Sequence, residues 1–87
     1  MAQTRVPPQD LETEKALLGA IMLNPNAMYE VADIISPEAF YASKHGTIFD
    51  GMLALHQRGE PIDLVTLSAK MRERKQLDKV GGSTYLS

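Results

Sequence analysis

The sequence has 87 residues, of which 44% are hydrophobic and 23% are charged, and this length suits one small folded domain. It contains no cysteine, which excludes disulfides and thiolate metal sites, so its stability must come from helix packing or from assembly. The formal net charge of −2 counts against a dedicated nucleic-acid domain, which normally carries a basic excess. No apolar stretch is long enough to span a membrane and no signal peptide opens the chain, so we expect a cytoplasmic protein.

The predicted elements begin with an extended lead-in at residues 1–9, where two prolines follow a valine. Asp10 is then expected to cap a first helix that ends near Leu23. One face of this helix is apolar and is interrupted only by Glu14; its apolar members are Leu11, Leu17, Leu18, Ile21 and Met22. Gly19 lies in the middle of the helix, and we interpret it as a point of close helix–helix approach.

A second helix is predicted where Asn24 can serve as a cap and Pro25 as the first helical residue. Its apolar residues follow helical spacing: Met28, Val31, Ala32 and Ile35. The segment Ser36-Pro37-Glu38 repeats the start signal, which predicts a single turn that continues through Phe40 and Tyr41.

Two longer helices follow in the prediction. Ser43 is the expected cap of a helix that ends near Arg58 and is closed by Gly59, with an inner face of Ile48, Phe49, Met52, Leu53 and His56. Asp63 is the expected cap of the next helix, which ends near Arg74 and carries Leu64, Leu67, Lys70 and Met71 along one side.

The last predicted helix opens at Gly81-Gly82 after a short connection over residues 77–80, and it contains Tyr85 and Leu86. Only a few residues of this helix precede Ser87. A helix this short is unstable alone, because forming the first helical turn is unfavourable in free energy. The pattern therefore predicts an all-α, compact bundle of about five short helices that is truncated at its C-terminal end.

Residues that could carry chemistry are scarce in this sequence. Gly81-Gly82 has no following lysine and no preceding strand, so no phosphate-binding loop is present. His45 and His56 would lie roughly 16 Å apart on one helix, too far to share a metal ion. Zinc needs three or four ligands, so we interpret each histidine as partly buried or solvated. We therefore predict no catalytic, cofactor-binding or metal-binding residues in this chain.

A basic run lies at the C-terminal end of the predicted helix that ends near Arg74, and it comprises Lys70, Arg72, Arg74 and Lys75. Cations at the C-terminal end of a helix complement its dipole, and this is the interpretation that we favour. A nucleic-acid contact is the alternative, although no stacking aromatic residue accompanies the run.

The order of several short segments resembles that of DnaB-type bacterial replicative DNA helicases. The segments are Val6-Pro7-Pro8 with residues 11–19, Phe40-Tyr41 with His45 and Ile48-Phe49, residues 59–67, and residues 81–86. Each segment alone is a helix boundary of a common type. Their shared order and spacing, over nearly the whole chain, make the resemblance specific.

The resemblance implies that residues 10–87 form the N-terminal collar domain of a hexameric 5′-to-3′ helicase. Such a domain would bind the C-terminal domain of primase, and a helicase loader would act on the same ring. ATP, Mg²⁺ and most DNA contacts would belong to a C-terminal motor domain that this chain lacks. The chain also lacks the helical hairpin through which family members pair, so dimerisation of this segment by itself is left open.

Two residues are candidates for partner binding through the resemblance. Tyr85 matches the tyrosine of the family's Gly-Gly-x-x-Tyr-Leu segment, and Glu12 matches an acidic position in the first helix. Alternatively, Tyr85 packs with its hydroxyl at the surface, and Glu12 stabilises a helix start. A small helical nucleic-acid-binding domain is the competing function, and an enzyme domain is the least favoured.

Overall fold

The computed structural model describes residues 10–82 and 86, and every regular element within them is helical. The elements are α1 (Leu11–Leu23), α2 (Met28–Val31), α3 (Ser43–Gln57) and α4 (Leu64–Glu73), with 3-10 turns at Pro25–Ala27, Pro37–Ala39 and Asp78–Val80. The all-α prediction is confirmed, with four α-helices in the described range where about five were expected. Within that range no helix is long and apolar enough to cross a membrane. The lead-in predicted for residues 1–9 lies outside the described residues.

The first helix starts and ends where the sequence predicted. The Asp10 side chain accepts a hydrogen bond from the backbone N–H of Thr13 at 3.1 Å, which satisfies one of the free donors of the first turn. Leu18 and Ile21 are buried on its inner face, and Glu14 is buried with them. Gly19 was expected to mark a close approach of two helices. Among the described residues this prediction is wrong, because a Cβ added at Gly19 would have no atom within 4 Å.

The second predicted helix is shorter than expected. Pro25–Ala27 forms a 3-10 turn, the Asn24 side chain makes no capping hydrogen bond, and only four residues of α2 follow. The chain must leave the helix before Ser36, whose backbone is extended (φ −110°, ψ 159°) because it precedes a proline. Of the apolar residues predicted to face the core, only Met28 is fully buried.

The third helix is the centre of the fold, and it packs against α1, α4 and two of the 3-10 turns. Its core side chains include Phe49 and Met52, as predicted, and also Leu55, which was not predicted. His56, which was assigned to the inner face, is only half-buried. The predicted cap is wrong: Ala42 occupies the N-cap position and has no side-chain oxygen, while Ser43 is the first helical residue.

Two glycines of α3 allow neighbouring segments to approach closely. A Cβ at Gly46 would lie 2.5 Å from the backbone oxygen of Pro37, and a Cβ at Gly51 would lie 3.2 Å from Cδ1 of Leu67 in α4. The close approaches that sequence reasoning assigned to α1 therefore occur on α3. They hold the Pro37–Ala39 turn and α4 against the central helix.

The fourth helix starts with a complete capping box. The Asp63 side chain accepts from the backbone N–H of Thr66 at 2.8 Å, and the Thr66 hydroxyl accepts from the backbone N–H of Asp63 at 3.0 Å. The predicted cap is thus confirmed. Leu67 and Met71 are buried beside Gly51 of α3, and Ser68 is buried as well.

Three segments end with the same pair of backbone hydrogen bonds, which requires a left-handed residue just past the last turn. After α3 this residue is Gly59 (φ 71°), and after the final 3-10 turn it is Gly81 (φ 100°). After α4 it is Lys75 (φ 60°), whose N–H donates to Arg72, while the N–H of Gln76 donates to Met71. The closure by Gly59 was predicted, whereas nothing in the sequence indicated that Lys75 would adopt this conformation.

Candidate interaction surface

Glu12, one of the two predicted contact residues, lies in the first turn of α1 with 89% of its side chain exposed. Its carboxylate is 3.6 Å from Nζ of Lys15, one turn along the same helix. An exposed ion pair of this kind contributes little to stability, so the pair leaves Glu12 available to a partner.

Tyr85, the other predicted contact residue, lies outside the described residues. Leu86 is described, and its half-buried side chain packs against the hydrophobic core. The structure therefore places the end of the predicted Gly-Gly-x-x-Tyr-Leu segment against the folded domain.

A cavity of about 320 Å³ lies between α1, α3, α4 and Leu86. Its lining is mostly apolar and is formed by Leu18, Gly19, Met22, Ile48, Met52, Leu67 and Leu86, with Lys15 and His45 as its polar members. Small-molecule sites combine apolar walls with several convergent polar groups. Because this cavity has few such groups, its walls suit the apolar side chains of a protein segment better than a polar metabolite.

A buried polar cluster joins α1 to the start of α3. The Glu14 carboxylate accepts hydrogen bonds from the backbone N–H groups of Tyr41 and Ala42 and from Nδ1 of His45, which is 2.7 Å away. An ionised carboxylate only accepts, so Nδ1 of His45 must carry the proton in this contact. Only 1% of His45 and 9% of Glu14 are exposed.

The electrostatics of this cluster keep Glu14 ionised. Burial raises the pKa of Glu14, but the hydrogen bonds from His45, Tyr41 and Ala42 and the charge of His45 together outweigh it, and the net pKa is lowered. The positive end of the α3 dipole acts in the same direction. Glu14 thus accepts from the backbone N–H of Ala42, the N-cap residue of α3, and from that of Tyr41 just before the helix, so it holds the segment that leads into α3.

Sequence reasoning noticed Glu14 as an interruption of an apolar face, and it missed the contact with His45. A carboxylate within an apolar stripe was the one available signal, since such a group needs a buried partner. The expectation of a partly buried or solvated His45 is wrong, because the imidazole is fully buried in the pair.

His56 lies at the other end of α3 in a different environment. Its ring meets the ring of Tyr29 edge-on, with centroids 4.7 Å apart and an interplanar angle of 81°. Among residues 10–82 and 86, no group of three or more His, Cys, Asp or Glu side chains could hold a metal ion.

Comparison with known proteins places this helical domain in a family. The model of the family described as "DnaB-like helicase N terminal domain" matches residues 6–87. The chain belongs to this family. The resemblance read from the short segments is therefore confirmed.

Sequence relatives of the DnaB-like domain are replicative helicases. The chain is 47% identical over 83 residues to the replicative DNA helicase DnaB of Geobacillus stearothermophilus and 43% identical over 83 residues to the replicative DNA helicase DnaC of Bacillus subtilis. Each alignment covers 95% of this chain but only 18% of the relative. The chain is thus similar to the N-terminal domain of a replicative helicase and spans under a fifth of these relatives.

A solved structure supports the same assignment. The crystal structure of the N-terminal domain of DnaB helicase from Mycobacterium tuberculosis matches with a TM-score of 0.86 and 40% identity. The match covers 93% of this chain and 56% of that chain. The four helices α1 to α4 are therefore arranged as in the DnaB N-terminal fold.

Proposed function

We propose that this DnaB-like domain is the interaction and assembly module of a hexameric replicative helicase. In this role it helps to form the collar of the ring and binds the C-terminal domain of primase. The observation that carries the proposal is the family match over residues 6–87, supported by the structural likeness at a TM-score of 0.86. The apolar cavity beside α1 and the exposed Glu12 suit protein contact.

Under this proposal, the remaining helicase functions belong to other parts of the protein. Residues 1–9 act as a lead-in and residues 10–87 as the collar domain. A motor domain elsewhere in the protein binds ATP, Mg²⁺ and DNA and unwinds the duplex. A helicase loader acts on the assembled ring in the bacterial cytoplasm.

Two residues are proposed to contact primase. Glu12 offers an exposed carboxylate on α1. Tyr85 offers an aromatic ring with a polar tip, the kind of side chain that often dominates the energy of an interface. Its neighbour Leu86 lines the apolar cavity, which supports a contact surface that includes the cavity edge.

The test uses the full-length hexamer carrying Tyr85→Ala or Glu12→Ala, with Glu30→Ala as a control. Glu30 is an exposed carboxylate on α2, so the control removes the same charge from another element. We expect Tyr85→Ala and Glu12→Ala to weaken primase affinity and primase stimulation while basal ATPase activity and the thermal midpoint stay unchanged. Glu30→Ala should change none of these.

Two results would count against these contacts. Unchanged primase affinity in a folded Tyr85→Ala hexamer would remove Tyr85 from the interface. A loss of affinity that only follows the fraction of unfolded protein would assign Tyr85 to the core. If the unmodified hexamer does not bind primase at all, the proposed partner itself is wrong.

A small helical nucleic-acid-binding domain is the second candidate, and the basic run near the end of α4 is the observation in its favour. The net charge of −2 opposes it. Fluorescence anisotropy with single-stranded and duplex DNA, over a range of salt concentrations, separates the two. Tight and salt-sensitive DNA binding by the chain alone would support the second candidate.

A further inference from the structure

The charges of this chain are strongly segregated along the sequence. Five of the nine Lys and Arg residues lie between positions 70 and 79, where only two of the eleven acidic residues occur. The segment that includes the end of α4 and the following turn is therefore positive, while the rest of the chain is clearly negative. The net charge of −2 is small because the positive segment offsets part of the negative charge elsewhere in the chain.

Three cations of this segment are exposed and have no ion pair among the described residues: Arg72, Lys75 and Lys79. We call these three residues the basic corner. The other two cations are engaged, since Lys70 lies 3.5 Å from Glu73 and Arg74 lies 3.4 Å from Asp50 of α3. The basic corner thus keeps charge that the fold itself does not neutralise.

The backbone at Lys75 is a second and independent observation. Lys75 occupies the left-handed position that glycine occupies in the two equivalent closures, at Gly59 and Gly81. Glycine adopts this conformation without steric conflict, whereas a residue with a Cβ does not. A lysine here places a positive charge at the corner despite the conformational cost.

A cleft of about 330 Å³ lies at the same place and is lined by Arg72, Lys75, Leu77 and Asp78. Leu77 is the apolar member of this lining and is itself packed against the core. The lining thus combines two cations, one carboxylate and an apolar side chain, and its net positive charge suits a segment that carries both carboxylates and an aliphatic side chain.

We propose that the basic corner binds a short acidic segment of a partner protein, with an aliphatic side chain of that segment on Leu77. A nucleic acid fits less well, because residues 70–82 contain no aromatic side chain for stacking and the rest of the chain would repel a long polyanion. A short segment contacts only the basic corner, since charges beyond about 10 Å are screened. Neither Glu12 nor Tyr85 belongs to the basic corner, so its occupant is independent of the proposed primase contact.

The test measures binding of a short fluorescein-labelled peptide of repeating Glu-Glu-Leu to the isotope-labelled chain. Amide shifts should concentrate at residues 72–79, and binding should weaken as salt is raised. Lys75→Gly and Arg72→Gln should each weaken binding about threefold to tenfold, whereas Lys75→Arg should retain it. Arg58→Gln serves as the charge-matched control, because Arg58 is an exposed cation at the end of α3, and it should leave binding unchanged.

Lys75→Gly also separates binding from folding, since it removes the charge while supplying the residue that the backbone favours. A folded Lys75→Gly chain with undiminished peptide binding would overturn the proposal. Equal binding of the corresponding Gln-Gln-Leu peptide, or amide shifts away from residues 72–79, would overturn it as well. Tighter binding of a thymidine oligonucleotide than of the acidic peptide would replace it with nucleic-acid recognition.

Discussion

His45 Nδ1 lies 2.7 Å from Glu14 Oε1, and this buried contact joins two helices across 31 positions of the sequence. Glu14 also accepts from the amides of Tyr41 and Ala42, so a side chain of α1 holds the segment that leads into α3. The position of this segment and the docking of α1 therefore depend on the same carboxylate.

Glu14→Ala should lower the free energy of unfolding by about 2–4 kcal/mol, because it leaves the His45 imidazole and two amides without their acceptor. Urea denaturation at neutral pH measures the change. Glu12→Ala is the matched control on the same helix, and its exposed side chain predicts a change within about 0.5 kcal/mol. Similar losses for the two variants would show that the buried cluster contributes nothing particular.

The contribution of Glu14 should disappear in acid. The pKa of Glu14 is lowered in the folded state, so the unfolded chain takes up a proton more readily than the folded chain does. The stabilisation is complete above the ordinary carboxyl range and is lost as the pH falls below roughly 4, through the folded-state value. The difference in unfolding free energy between the unmodified chain and Glu14→Gln should therefore shrink from pH 7 to pH 3. A difference that stays constant over this range would contradict the argument.

Glycine-to-alanine changes should have opposite effects on α1 and α3. Gly46→Ala places a Cβ 2.5 Å from the backbone oxygen of Pro37, and we expect a loss of about 3 kcal/mol or more because backbone must move. Gly19→Ala meets no atom within 4 Å and should stabilise the domain by about 1 kcal/mol through helix propensity. Thermal midpoints of the two variants check this, and a destabilising Gly19→Ala would reveal a neighbour at that position.

The closure after α4 predicts a difference between two substitutions that remove the same charge. Lys75→Gly should be more stable than Lys75→Ala by about 1 kcal/mol, since only glycine adopts φ 60° without steric cost. Gly59→Ala, at the equivalent position after α3, should be destabilised by a similar amount. Both comparisons use chemical denaturation, and equal stability of the two Lys75 variants would show that the residue relaxes out of the left-handed region.

Three helix ends that depend on neighbours within a few residues were predicted correctly. Asp10 and Asp63 accept from amides three positions ahead, and Gly59 closes α3 through bonds within one turn. Ser43 was predicted as a cap, but it is the first helical residue of α3, and the amides of Tyr41 and Ala42 before it are bonded by Glu14 of α1. A contact with so distant a side chain leaves no local pattern to recognise.

The sequence by itself determined the all-α class, the approximate helix boundaries and the membership of the DnaB N-terminal family, because these depend on apolar periodicity, capping residues and segment order. Only the tertiary structure decided which polar groups are buried and which glycines are crowded. The burial of Glu14 and His45, and the contact of Gly46 with Pro37, arise where α1 and the Pro37–Ala39 turn meet α3. Such contacts join residues far apart in the chain, so the free energy that selects them belongs to the packed arrangement and not to any single segment.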